Sequence, residues 1–129
     1  MKIKTELKYT KEHEWVKVEG ETVVVGITDY AQAHLGDVVF VDLPEVGAAI
    51  NAGDGLMVVE SVKAVSDVYA PVSGIIVRVN ETLADQPEML NEDPYGRGWL
   101  VVLQSTDASE IAQLLDNVAY SKLLAGEDD

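Results

Sequence analysis

Short apolar bursts separated by turn-forming residues run along most of the chain, in the alternation that suits half-buried strands. Trp15-Val16-Lys17-Val18 and Thr22-Val23-Val24-Val25-Gly26-Ile27 flank Glu19-Gly20. This predicts a hairpin whose turn uses the backbone freedom of Gly20. Residues 38–43 predict a strand ended by Pro44, residues 56–62 and 65–69 two more, and residues 75–79 another after a turn at 71–74. A closing strand is expected at 99–103, while 51–55 and the Pro- and Gly-dense stretch 91–98 read as loops. Thr28 and Gly36 bracket residues 29–35 as N-cap and stop of a short helix. Ile111, Leu114, Leu115 and Val118 fall at i, i+3, i+4 and i+7, with Asp107 and Glu110 at capping-box spacing before them. They predict one C-terminal helix near 107–124, lying as a lid on the sheet core. Glu127-Asp128-Asp129 reads as a frayed acidic tail.

These elements make a mostly β chain with minor α, and its 129 residues fit one domain, 1–129, with a core that needs no disulfide or metal. A weak internal echo relates Gly36-Asp37-Val38-Val39-Phe40-Val41 to Gly74-Ile75-Ile76-Val77-Arg78-Val79. It suits a flattened barrel or sandwich of two similar halves.

Composition narrows the chemistry. The chain has no cysteine, so thiolate metal sites, disulfides and a cysteine nucleophile are out, and any redox chemistry must come from a group added to the chain. Its formal net charge of −14 argues against nucleic acid and against anionic membrane surfaces, and suits a diffusing partner of basic protein surfaces. No apolar run reaches membrane-spanning length, and the amino terminus shows no signal-peptide pattern, so a cytoplasmic protein is expected. Asn80-Glu81-Thr82 fits a glycosylation sequon but reads as a turn. Walker, nucleophile-elbow and His-Glu-x-x-His patterns are absent, and two histidines without thiols make a poor metal set.

Lys63 interrupts two strand-forming runs, flanked by Val58, Val59 and Val62 before it and Val65, Val68 and Tyr69 after it. A lysine ammonium is rarely buried without a partner, so the chain is expected to turn here and present the amine to water. Ala64 beside it is small and leaves the amine sterically open. Two readings follow from the residues: a solubilising turn lysine, or an acceptor lysine on a stiff turn that another enzyme acylates.

The stretch Glu60-Ser61-Val62-Lys63-Ala64-Val65-Ser66-Asp67-Val68-Tyr69-Ala70-Pro71-Val72-Ser73-Gly74 resembles the lipoylation segment of the glycine cleavage system H protein family. Four further stretches match in order: Tyr9-Thr10-Lys11-Glu12-His13-Glu14-Trp15-Val16, Val25-Gly26-Ile27-Thr28-Asp29-Tyr30-Ala31-Gln32, Leu35-Gly36-Asp37-Val38-Val39-Phe40-Val41-Asp42-Leu43-Pro44-Glu45-Val46-Gly47, and Asn91-Glu92-Asp93-Pro94-Tyr95-Gly96-Arg97-Gly98-Trp99-Leu100. The resemblance implies a lipoyl-type barrel-sandwich hybrid with lipoate joined as an N6-lipoyl amide to Lys63 at a hairpin tip. It implies that Glu60, Ser61, Val62 and Ala64 are read by the lipoylating enzyme, and that Glu14, His34 and Asp67 form a cleft for the loaded arm. It also implies a non-catalytic carrier, most simply a monomer. Such a carrier takes the aminomethyl group of glycine from a pyridoxal-phosphate glycine decarboxylase to a tetrahydrofolate-dependent aminomethyltransferase, and an FAD-bearing dihydrolipoyl dehydrogenase then reoxidises it.

Four other readings compete. A lipoyl relay serving 2-oxoacid dehydrogenases or another redox system would show the same lysine segment. A biotin carrier would have Met on both sides of the lysine, where this chain has Val62 and Ala64. A Schiff-base enzyme would need a desolvated amine. A purely structural module would leave Lys63 unmodified.

Overall fold

The computed structural model of the chain describes residues 2–127. The strands are β1 (Lys8–Tyr9), β2 (Glu14–Glu19), β3 (Thr22–Ile27), β4 (Val38–Asp42), β5 (Ala49–Ile50), β6 (Gly55–Ser61), β7 (Val65–Tyr69), β8 (Gly74–Val79) and β9 (Val101–Ser105). The helices are α1 (Asp29–Leu35), α2 (Thr82–Asp85), α3 (Met89–Glu92), α4 (Ala108–Ala112) and α5 (Asn117–Glu127). The strands build a six-stranded sheet, β1-β2-β3-β9-β8-β5, and a three-stranded one, β4-β6-β7.

Alternation along the strands sends one face of each sheet into a shared core. Val23, Val25 and Ile27 of β3, Ile76 of β8 and Leu103 of β9 meet Val41, Val59 and Val68 from the smaller sheet, all buried. Full burial of such a side chain contributes about 1.5–3 kcal/mol. The two copies of the internal echo fall one in each sheet, on β4 and β8.

A second, aromatic core lies elsewhere on the large sheet, built from Leu7, Tyr9, Trp15, Tyr30, Tyr120 and Leu124. Trp15 lies across the backbone of its cross-strand neighbour Gly26, and its indole N–H donates to the Pro94 carbonyl at 2.9 Å. Glycine in a strand is intrinsically unfavourable, but here the missing side chain is the space the indole fills.

The predicted short helix is α1 over the expected residues. The Thr28 hydroxyl accepts from the Ala31 amide, and Gly36, at φ +80°, donates its N–H to the Gln32 carbonyl and ends the helix. The first hairpin also forms as expected, turning at Gly20 with φ +65°.

The C-terminal helix near 107–124 is interrupted rather than continuous. Leu115 leaves the helix to exchange both backbone hydrogen bonds with Tyr9, at 2.8 Å each, and Asp116 caps a new helix by accepting from the Ala119 amide. The apolar stripe is divided accordingly. Ile111 and Leu114 pack on the main core, Leu115 on the aromatic one, and Val118 is exposed. Asp107 does cap α4 through the Ser109 amide, but Glu110 does not complete a capping box. Its carboxylate instead accepts from the backbone N–H and hydroxyl of Ser73 at 2.7 and 2.9 Å. Asn80 is more than a turn residue: it is buried and donates to the carbonyls of Arg97 and Trp99, bracing the loop before β9. The loop expected at 91–98 begins inside α3. Asp128 and Asp129 of the expected acidic tail lie outside the described residues.

A methyl group at position 26 would collide with the Trp15 ring. Gly26→Ala should therefore lower stability by about 1–3 kcal/mol, the usual range for overpacking, read as a lower urea midpoint at unchanged m-value.

Candidate functional site

Strands β6 and β7 pair antiparallel up to Glu60 opposite Val65, and the chain reverses through Ser61-Val62-Lys63-Ala64. Val62 thus belongs to the turn and not to the strand predicted to reach it. The Ser61 amide donates to the Ala64 carbonyl at 2.8 Å. The Ser61 hydroxyl oxygen accepts from the amides of Lys63 and Ala64 at 3.3 and 3.1 Å, so one side chain closes the turn from inside. The Val62 amide donates to the Asp37 carbonyl at 3.0 Å, which fixes the turn to the start of β4.

Lys63 is exposed at the apex, with Val62 at 70% and Val65 at 69% exposure on either side. Its stem runs alongside Gly36, where an added methyl group would come within 3.3 Å of the lysine Cε. Among the described residues no hydrogen bond or ion pair holds its ammonium. An exposed amine lacks the enclosing pocket that a Schiff-base enzyme builds around its lysine.

Beside the turn lies a cleft of 550 Å³ between α1 and β7. The three residues singled out for it, Glu14, His34 and Asp67, all line it, together with Ala64 and Val65 next to Lys63. Apolar side chains such as Ile27, Leu35 and Val68 complete the lining, so the cleft is partly apolar and edged by carboxylates.

Glu14 is not a solvated strand-edge acid. It is 2% exposed, and its carboxylate accepts from the Thr10 hydroxyl at 2.5 Å and the Tyr69 amide at 3.2 Å. Burial pushes its pKa up, and those two donors only partly offset the shift. His34 is exposed near the C-terminal end of α1, with Nδ1 3.2 Å from the Tyr30 carbonyl and its ring stacked on Tyr30 at 4.0 Å. Asp67 is exposed on β7 opposite Val58. Glu60 and Ser61 are half-buried at the base of the turn.

Sequence reasoning missed His13, Tyr30 and Tyr69, which also line the cleft. Tyr30 stands four residues before His34 on a predicted helix, a spacing that already places the two rings on one face. His13 gave no such signal, because its backbone φ of +71° depends on tertiary context.

The family model described as glycine cleavage H-protein matches residues 7–127. The glycine cleavage system H protein of Cronobacter sakazakii is 56% identical over 126 residues, covering 97% of this chain and 98% of that protein. That of Geobacillus kaustophilus is 57% identical over 119 residues, covering 92% and 94%. The crystal structure of a glycine cleavage system H protein from Mycobacterium marinum superposes with a TM-score of 0.86 at 41% identity, covering 98% of this chain and all of that one.

The state of Glu14 has a pH consequence. With its folded-state pKa raised, the native chain binds this proton more tightly than the unfolded chain. The stability it contributes is complete below the ordinary glutamate value of 4.5 and is lost as pH rises through the folded-state value. A carbon-detected titration should place the Glu14 carboxyl midpoint above 4.5. In urea unfolding, Glu14→Gln should gain on the wild type as pH rises across that window. A midpoint at or below the ordinary value contradicts the assignment.

Proposed function

This chain belongs to the glycine cleavage H-protein family, and from that membership we propose that Lys63 is where it bears the lipoyl arm of a glycine cleavage carrier. The observation that carries the proposal is an uncommitted amine at the apex of a turn closed by backbone and hydroxyl hydrogen bonds, inside the segment that matches the family's lipoylation stretch. A rigid, exposed lysine gives a modifying enzyme one geometry to meet. Val62 and Ala64 stand exposed on either side of it, Ser61 closes the turn and Glu60 flanks its base, which suits them to be read by that enzyme. The family match favours glycine cleavage over a relay to 2-oxoacid dehydrogenases.

The residues fit lipoate. A long acyl chain rooted at Lys63 needs open space beside the root and a partly apolar place to rest, and the cleft begins at Ala64 and Val65. When bound, the group supplies thiol–disulfide chemistry, which the cysteine-free chain cannot supply itself. The protein's part is to present the root, to keep a carried one-carbon group tethered at high effective concentration, and to keep water from it. Glu14 and Asp67 are suited to hold an amine by charge-assisted hydrogen bonds, with His34 closing one end of the cleft.

The partners that follow are the pyridoxal-phosphate glycine decarboxylase, the folate-dependent aminomethyltransferase, the FAD-bearing dihydrolipoyl dehydrogenase and a lipoylating enzyme, visited in turn by a monomer. The outer face of the small sheet is suited to meet them. There Phe40, Glu60 and Val65 stand in one cross-strand row, apolar side chains flanking a carboxylate.

Intact-mass and peptide mass spectrometry after treatment with a lipoate-attaching enzyme should find one lipoyl amide, on Lys63, and none in Lys63→Ala. A second modified lysine, or an unmodified Lys63, would overturn the proposal. Ser61→Ala, which removes the acceptor for two turn amides, should fold with a loss of about 1 kcal/mol and be lipoylated more slowly than wild type.

A further inference from the structure

Tyr120 lies in the first turn of α5, fully buried, outside the cleft lining. Its ring stacks parallel on Tyr9 at 4.5 Å and 4°. Its hydroxyl lies 2.7 Å from the Thr28 Oγ1 and 2.8 Å from Nδ1 of His13. Thr28, also fully buried, is the N-cap of α1, and its amide donates to the His13 carbonyl at 3.0 Å. One assignment is consistent throughout: the Ala31 amide donates to Thr28 Oγ1, the Thr28 hydroxyl to the Tyr120 oxygen, and the Tyr120 hydroxyl to His13 Nδ1.

His13 is the only non-glycine residue at positive φ among the described residues, a conformation that persists only where its surroundings hold it. Its ring lies 4.5 Å from that of Tyr30, which in turn stacks on His34. The residue after it is Glu14. A single hydroxyl from the C-terminal helix therefore touches both the start of the α1 wall and the residue that precedes the buried carboxylate.

We propose that Tyr120 is a positioning residue for the cleft: through its hydroxyl, α5 sets α1 against His13 and Glu14 and so governs how well the cleft shields what rests there. This rests on the reading of the cleft as the seat of the loaded arm. Deleting the oxygen would remove one hydrogen bond from the buried Thr28 hydroxyl and one from the His13 ring nitrogen. The stack on Tyr9 would survive, so α5 would stay docked while its grip on α1 loosened.

The test compares Tyr120→Phe with Ser73→Ala, which deletes a hydroxyl bonded to Glu110 outside the cleft lining, and with Thr28→Ser, which keeps an oxygen for Tyr120. In the unmodified protein, Tyr120→Phe should speed amide exchange at Ala31 and Gln32 by about three- to tenfold and move the methyl resonances of Ala31 and Val68. Amides of β8 should keep their protection, and the two reference variants should leave α1 as in wild type. In lipoylated protein loaded by glycine decarboxylase, the lifetime of the carried group in water should fall by a similar factor. Unchanged exchange at Ala31 and Gln32 overturns the proposal. So does faster exchange with an undiminished lifetime, where the wild type protects its group relative to free lipoamide. A wild type that gives no such protection refutes the seat, and with it the shielding role, while the exchange data still decide whether Tyr120 positions α1.

Discussion

The hydroxyl of Ser61 closes the turn on which the Lys63 amine stands. Short connections between antiparallel strands, such as the three residues between Ser61 and Val65, ordinarily place at least one residue at positive φ, because that geometry matches the strand twist. Neither Val62 nor Lys63 adopts it. The turn is held by other means: Ser61 Oγ receives two amides, the Ser61 amide reaches the Ala64 carbonyl, and the Val62 amide is taken up by the Asp37 carbonyl. Both strands behind the turn are anchored in the core by Val59 and Val68, so the position of the apex is inherited from the packing of the two sheets.

The cleft arises from the same two-layer construction. One wall is β7, which leads directly away from the turn, and the other is α1, which connects the large sheet to β4. The space between them is where helix and small sheet do not close on each other. Glu14 enters at the start of β2, from the large sheet, so the carboxylate in the cleft belongs to a different layer from the lysine. Two hydrogen-bond donors make its burial tolerable without cancelling it.

Much of this was legible in the residues. Local signals with a mechanism of their own placed the first hairpin, α1 with both its ends, and the strands on either side of Lys63. The resemblance, rather than any periodicity, picked out Glu14, His34 and Asp67, and all three line one cleft. What escaped was set by distant parts of the chain. The break at Leu115 exists because Tyr9, more than a hundred positions earlier, offers a backbone to pair with, and a helical stripe cannot announce that. Glu110 was drawn away from its capping role by Ser73, and Asn80 looked like a turn because its two carbonyl partners lie on the far side of a loop. The short pieces β5, α2 and α3 carry too few residues for a pattern to stand out.

The bracing of the turn by main-chain groups and one hydroxyl separates two kinds of constraint. Val62 and Ala64 project outward and make no side-chain hydrogen bond, so folding is nearly indifferent to what stands there. Any constraint at these two positions is therefore external to the fold, and residues at the tip can change while the scaffold beneath keeps its architecture.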